Sequence, residues 1–145
     1  MNDPLIASAE KNSETKVLTT LLGIFFVSQL LFYNIGAFMP TFVEKNYPDI
    51  TSFQVGCIFA CYPFAYTLNC PFAGNFASKF GLKTSIVGGL NFMAASTVLF
   101  GMASYSSTQT TFIAISVLAR IIQAMGDSVV CVVIPVIMSS LYPES

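Results

Sequence analysis

The stretch Gly74-Asn-Phe-Ala-Ser-Lys-Phe-Gly-Leu-Lys83 is a short basic turn between two segments that are each long enough to cross a bilayer. Residues 50–78 carry no charge, Lys79 and Lys83 then appear, and the next charge is Arg120. A bilayer core needs about 20 mostly apolar residues per helix. Working outward from the turn, runs of that kind occupy 53–76 before it and 84–103 after it, with 17–42 and 112–138 beyond. Residues 104–111, Ser-Tyr-Ser-Ser-Thr-Gln-Thr-Thr, are too polar for lipid and read as a tight outer turn. Strands of a membrane barrel would alternate over about ten residues, and these runs do not. The sequence therefore predicts an all-α membrane protein of four transmembrane helices, preceded by a polar tail over residues 1–16.

Composition points to the same class. Hydrophobic residues make up 54% of the 145 and charged residues 9%, against about 25% charged in a soluble domain. Six Lys and Arg scattered along the chain make no basic patch, so nucleic acid is not an expected partner. Without a histidine, the chain lacks the commonest general base and metal ligand. Neither enzyme activity nor a metal or cofactor is expected. Cys57, Cys61, Cys70 and Cys131 all lie in apolar surroundings and read as small buried hydrophobes. Residues 1–16 mix acids with lysines and look like neither a secretory signal nor a transit peptide. The first span then serves as an uncleaved anchor.

Orientation follows from where the lysines fall. Lys11, Lys16, Lys79 and Lys83 lie on one side of the predicted spans and Lys45 on the other. That bias places the tail and the 74–83 turn in the cytosol, and an even number of spans returns the C-terminus there. Tyr47, Tyr105 and Tyr142 sit near span ends, as interfacial aromatics do.

Arg120 and Asp127 are the only charges inside a predicted span. At a helix centre each costs about 2.5–3.5 kcal/mol, roughly 5–7 together. The twelve Phe, Ile, Leu and Val residues from Phe112 to Pro135 return about 0.3–0.6 kcal/mol each, roughly 4–7 in total. This helix inserts only marginally alone, so its charged face belongs against protein or water. Seven residues are close to two turns, so Arg120 and Asp127 share a face about 10 Å apart. Gln123, Ala124, Cys131 and Met138 continue the stripe. It reads either as a solute or proton pathway or as a structural ion pair or hydrogen-bond anchor to another helix.

The motifs resemble the major facilitator superfamily of transporters. The 74–83 turn is similar to that family's cytoplasmic loop between helices two and three. Arg120-Ile-Ile-Gln-Ala-Met-Gly126 looks like the Arg-x-x-Gln-Gly-x-Gly pattern in helix four of its drug–proton antiporters. Leu141-Tyr-Pro-Glu144 is similar to the aromatic-Pro-Glu that often closes that helix. Phe38-Met-Pro-Thr-Phe-Val-Glu-Lys45 and the Gly126-Asp127 pair look most like the vesicular amine and polyamine branch. The resemblance covers residues 17–145 and implies a gating role for Gly74, Ser78, Lys79, Gly81 and Lys83. Ser78 stands where the family loop usually has an acid, which implies a weaker gate. The amine carriers also place an acid in helix one, where this chain has Gln29, Tyr33 and Asn34. Asp127 is the membrane acid left for that role.

Other polar side chains share helical faces: Gln29, Tyr33 and Gly36 on the first span, Tyr62, Tyr66 and Asn69 on the second. They either line a cavity or make interhelical hydrogen bonds worth about 0.6 kcal/mol each. Pro63 and Pro71 each remove a backbone donor and predict a bent second helix. Gly74, Gly88, Gly89 and Ala95 read as sites of close helix packing, and Gly81 as a position needing a conformation costly for other residues. A facilitator comprises two six-helix halves built from inverted three-helix repeats, whereas this sequence stops after the fourth helix. The expectation is the N-terminal part of a small-solute transporter, working with the bilayer and the remaining part of the carrier. The alternative is a truncated, transporter-derived structural subunit among other membrane subunits of a larger, for instance energy-transducing, complex.

Overall fold

A computed structural model describes the backbone of residues 4–141 and the side chains of residues 14–140. The chain forms α1 (Pro4–Asn46), α2 (Ser52–Phe80), α3 (Leu82–Ala103) and α4 (Gln109–Leu141), with no strand among the described residues. All four helices are long and apolar enough to cross a membrane, giving the all-α membrane fold expected. The closing motif's Tyr142, Pro143 and Glu144 lie outside the described residues.

Helix α1 has 43 residues, about 65 Å at 1.5 Å per residue, roughly twice the bilayer's hydrocarbon thickness. It runs on from the polar N-terminal stretch into the first apolar run without interruption. Helix α2 begins at a capping box. Thr51 accepts from the Gln54 backbone at 3.4 Å, and Gln54 Oε1 accepts from the Thr51 backbone at 2.9 Å. Two of the donors that every helix leaves unpaired at its start are thereby satisfied.

The 74–83 turn differs from its expected form. Helix α2 continues through Phe80 and α3 starts at Leu82, so the turn shrinks to one residue, Gly81. Gly81 takes φ +86° and ψ 152°, a region essentially restricted to glycine. Its N–H donates to the Ala77 carbonyl at 3.0 Å, and its own carbonyl accepts from Ser85 N at 3.1 Å. The chain reverses without loop residues because one glycine closes both helix ends. Gly74, Ser78 and Lys79 therefore ride on the last turns of α2, and Lys83 on the first turn of α3.

Helix α4 is the hub of the bundle. It packs extensively against both α2 and α3, while α1 touches the others far less and α2 and α3 barely meet. The α3–α4 seam is set by two glycines. A Cβ on Gly89 would lie 2.7 Å from the Gly126 carbonyl oxygen, and one on Gly126 would lie 2.5 Å from the Gly89 carbonyl oxygen. Gly74 and Gly88, expected to allow close packing, face open space instead; Phe76 beside the first and Val87 beside the second are exposed.

Two apolar clusters bracket the centre. One, near Gly81, joins Leu21, Ala77, Ile86, Val130, Val133 and Ile134. The other, at the opposite end, joins Met39, Val43, Ile50, Ile58, Ala103 and Phe112. At that end Tyr47 donates its hydroxyl to the Ser106 carbonyl at 2.6 Å and stacks on Phe112 with centroids 4.8 Å apart. Phe64, Leu68, Phe72, Phe76 and Phe80 recur every fourth residue on the outer face of α2, all exposed, as a lipid-facing stripe requires.

Candidate functional site

The polar stripe of α4 lies between the two apolar clusters. Arg120, Gln123 and Asp127 are buried, at 1%, 1% and 3% exposure. The Gly89–Gly126 contact fixes α4 against α3 one residue before Asp127, which turns that carboxylate toward α1 and α2. Tyr62 of α2 donates a hydrogen bond to Asp127 Oδ2. The Cys131 thiol, one turn further along α4, lies 3.7 Å from Oδ1.

Arg120 and Asp127 form no ion pair. The Arg120 guanidinium sits among three aromatic rings, with centroids at 5.6 Å for Phe32, 5.1 Å for Phe59 and 5.7 Å for Tyr62. Its Nη1 donates to Gln123 Oε1 at 3.2 Å. Tyr62 therefore stands between the two charges: its ring faces the cation and its hydroxyl holds the carboxylate. The ion-pair alternative gives way to this arrangement because two helical turns keep the groups about 10 Å apart along the axis.

A cavity of about 430 Å³ opens beside the carboxylate, lined by Phe25, Gln29, Phe32, Tyr62, Pro63, Tyr66, Asp127 and Cys131 from α1, α2 and α4. It brings together Gln29, Tyr62, Tyr66 and Asp127 from the residues singled out in the sequence. Arg120 and Gln123 lie behind Tyr62 and do not line it. Tyr33 points away, 66% exposed. Asn34 lines a separate crevice between α1 and α3 with Phe38, Thr97 and Phe100. Asn69 lines an apolar groove between α2, α3 and α4 with Phe72, Phe76, Phe92 and Met125.

Phe25, Phe32 and Phe59 escaped the sequence reading. Phe25, Gln29 and Phe32 follow i, i+4, i+7 spacing on α1, and Phe59, Tyr62 and Tyr66 follow i, i+3, i+7 on α2. That pattern marks one face of each helix. Among so many phenylalanines, a ring facing a cavity reads the same as a ring facing lipid. The cysteines also differ from expectation: Cys57 is exposed, and Cys61, Cys70 and Cys131 are half-buried. Cys131 belongs to the cavity wall. Of the residues around the Gly81 joint, Ser78 and Lys79 are exposed. Ser78 bonds back to the Asn75 carbonyl at 2.9 Å, and the Lys79 ammonium lies 5.7 Å from the Phe80 ring centroid. Among the described residues no group of histidine, cysteine or acidic side chains could hold a metal ion.

Comparison with known proteins gives one family and one kind of relative. The family model described as Major Facilitator Superfamily matches residues 21–145. The MFS-type transporter SLC18B1 of Rattus norvegicus is 27% identical over 111 residues, which cover 77% of this chain and 24% of the rat protein. The mouse protein of the same name, from Mus musculus, matches equally at 27% over 111 residues. The matched region thus spans about a quarter of the length of these relatives. No solved structure matches.

Proposed function

This chain belongs to the Major Facilitator Superfamily, and from that premise we propose that it supplies the first four helices of a secondary transporter for a small organic cation. Asp127 is the group that exchanges a proton for the substrate. The observation that carries this reading is a buried carboxylate at the wall of an aromatic-lined cavity formed by three helices. An ionisable residue within a membrane segment is costly, and such residues mark ion and substrate paths. Phe25, Phe32, Tyr62 and Tyr66 line that cavity; aromatic rings attract a desolvated ammonium, and the carboxylate neutralises it.

Proton and ammonium compete for the same oxygens, so loading one releases the other. Tyr62 holds the carboxylate in one rotamer, which keeps the exchange at a fixed point on the path. Alternating access then comes from rocking of this part against the remainder of a facilitator fold. The four-to-one lysine distribution supports termini in the cytosol, with the Gly81 joint and Lys79 and Lys83 on that side.

Asp127→Asn tests the reading in the longest natural form of the protein. Asparagine keeps shape and a hydrogen-bond acceptor but cannot exchange a proton. Proton-driven uptake of a radiolabelled amine into proteoliposomes should vanish while folded protein remains abundant. Wild-type uptake in this variant would remove Asp127 from the mechanism. A structural subunit would tolerate the substitution and have no uptake to lose.

A further inference from the structure

The cavity beside Asp127 holds a single formal charge. Of the side chains that line it, Asp127 alone is ionic; the other polar groups are the Gln29 amide, the Tyr62 and Tyr66 hydroxyls and the Cys131 thiol. Tyr62 and Cys131 already face the carboxylate. Gln29 enters from α1, where it is half-buried. Among the described residues its amide has no hydrogen-bond partner. An amide carries two N–H donors and an acceptor oxygen, so Gln29 offers unused hydrogen-bonding capacity to whatever fills the cavity.

These two groups make different demands on a solute. One positive charge neutralises Asp127 and leaves the cavity neutral. A second has no acid to meet. The cation already present is Arg120, whose guanidinium centre lies 5.7 Å from the centroid of the Tyr62 ring; it repels any further positive charge nearby. An uncompensated charge within a membrane segment is costly. A second ammonium could donate to the Gln29 oxygen, but an amide cannot cancel its charge. A purely apolar tail fails for another reason: it displaces water from the amide and leaves donors and acceptor unpaired. The group that suits Gln29 is neutral and both donates and accepts, as a hydroxyl does.

We propose that Gln29 is the charge selector of this cavity. Asp127 takes the one ammonium of the solute, and Gln29 takes a neutral hydroxyl on the same molecule. Resting on the reading of Asp127 as the cation site, this selectivity is a property of binding and is measured apart from flux.

Three amines of equal carbon-chain length test it in the longest natural form of the protein: an aminopentanol with its two groups at opposite ends, pentylamine and cadaverine. Affinities are read from the rise of the thermal midpoint with amine concentration. Wild type should bind the aminopentanol about tenfold tighter than either of the others. Gln29→Glu supplies a second acid and should reverse the order, with cadaverine bound tightest. Gln29→Leu removes the amide and should bring pentylamine level with the aminopentanol while cadaverine stays weak; this variant serves alone if Gln29→Glu fails to fold. Cadaverine bound to wild type as tightly as the aminopentanol would overturn the selector, and so would an order unchanged by the substitutions. Failure of the cation site itself looks different: none of the three amines binds wild type, or Asp127→Asn binds them equally well, and the selector then falls with it.

Discussion

At the scale of the residue, Asp127 shows what a membrane acid requires. A carboxylate at a helix centre costs about 2.5–3.5 kcal/mol to insert, and here the Tyr62 hydroxyl and the Cys131 thiol reduce that cost. Tyr62→Phe keeps the ring against Arg120 and removes only the hydroxyl. It should destabilise the protein by about 1–2 kcal/mol, measured by thermal unfolding in detergent, and lower the apparent affinity for a cationic solute. Unchanged stability would mean that Asp127 finds another donor. The buried stripe of Arg120, Gln123 and Asp127 was legible in the sequence because charged and polar side chains stand out against an apolar run. Phe25, Phe32 and Phe59 were not, since an aromatic side chain has the same helical spacing whether it meets a guanidinium, a cavity or lipid. Tyr33 is exposed and Asn34 lines a different crevice, neither beside Asp127. On a helix touched by few neighbours, polarity alone does not say which side faces inward.

At the scale of the element, backbone proximity decides which glycines matter. Gly89→Ala and Gly126→Ala each drive a methyl against a carbonyl oxygen of the facing helix. Each should cost about 1–3 kcal/mol, as overpacking does. Gly88→Ala meets open space and should be neutral or stabilising by up to about 1 kcal/mol from helix propensity. Equal effects at Gly88 and Gly89 in thermal unfolding would contradict the seam described here. Gly81→Ala forces φ +86° on a residue with a Cβ and should cost about 1–3 kcal/mol. The sequence pointed to a special glycine at Gly81 but drew the turn ten residues long. Polar residues and lysines signal water, and a helix end standing in water looks like a loop until its backbone hydrogen bonds are traced.

At the scale of the molecule, the lysines and the packing order make separate demands. Cysteines placed at Asn75 and Asp49, in a variant lacking the four native ones, should react from opposite sides of the membrane, Asn75 from the cytosol. Labelling of both from one side would overturn the topology. Changing Lys79 and Lys83 together to Glu should produce a mixed orientation in the same assay. The four spans were legible because hydrophobic length is a property of sequence alone. The hub role of α4 was not, because it depends on which helices touch. That role has a consequence for biogenesis. As the chain leaves the ribosome, α1, α2 and α3 enter the bilayer before α4, and they share almost no seam with one another. The newborn protein thus passes through a stage of three loosely held helices, awaiting a fourth whose own entry is marginal. A version released after residue 108 should be degraded faster than one that includes α4, because the latecomer and the waiting helices each supply what the other lacks.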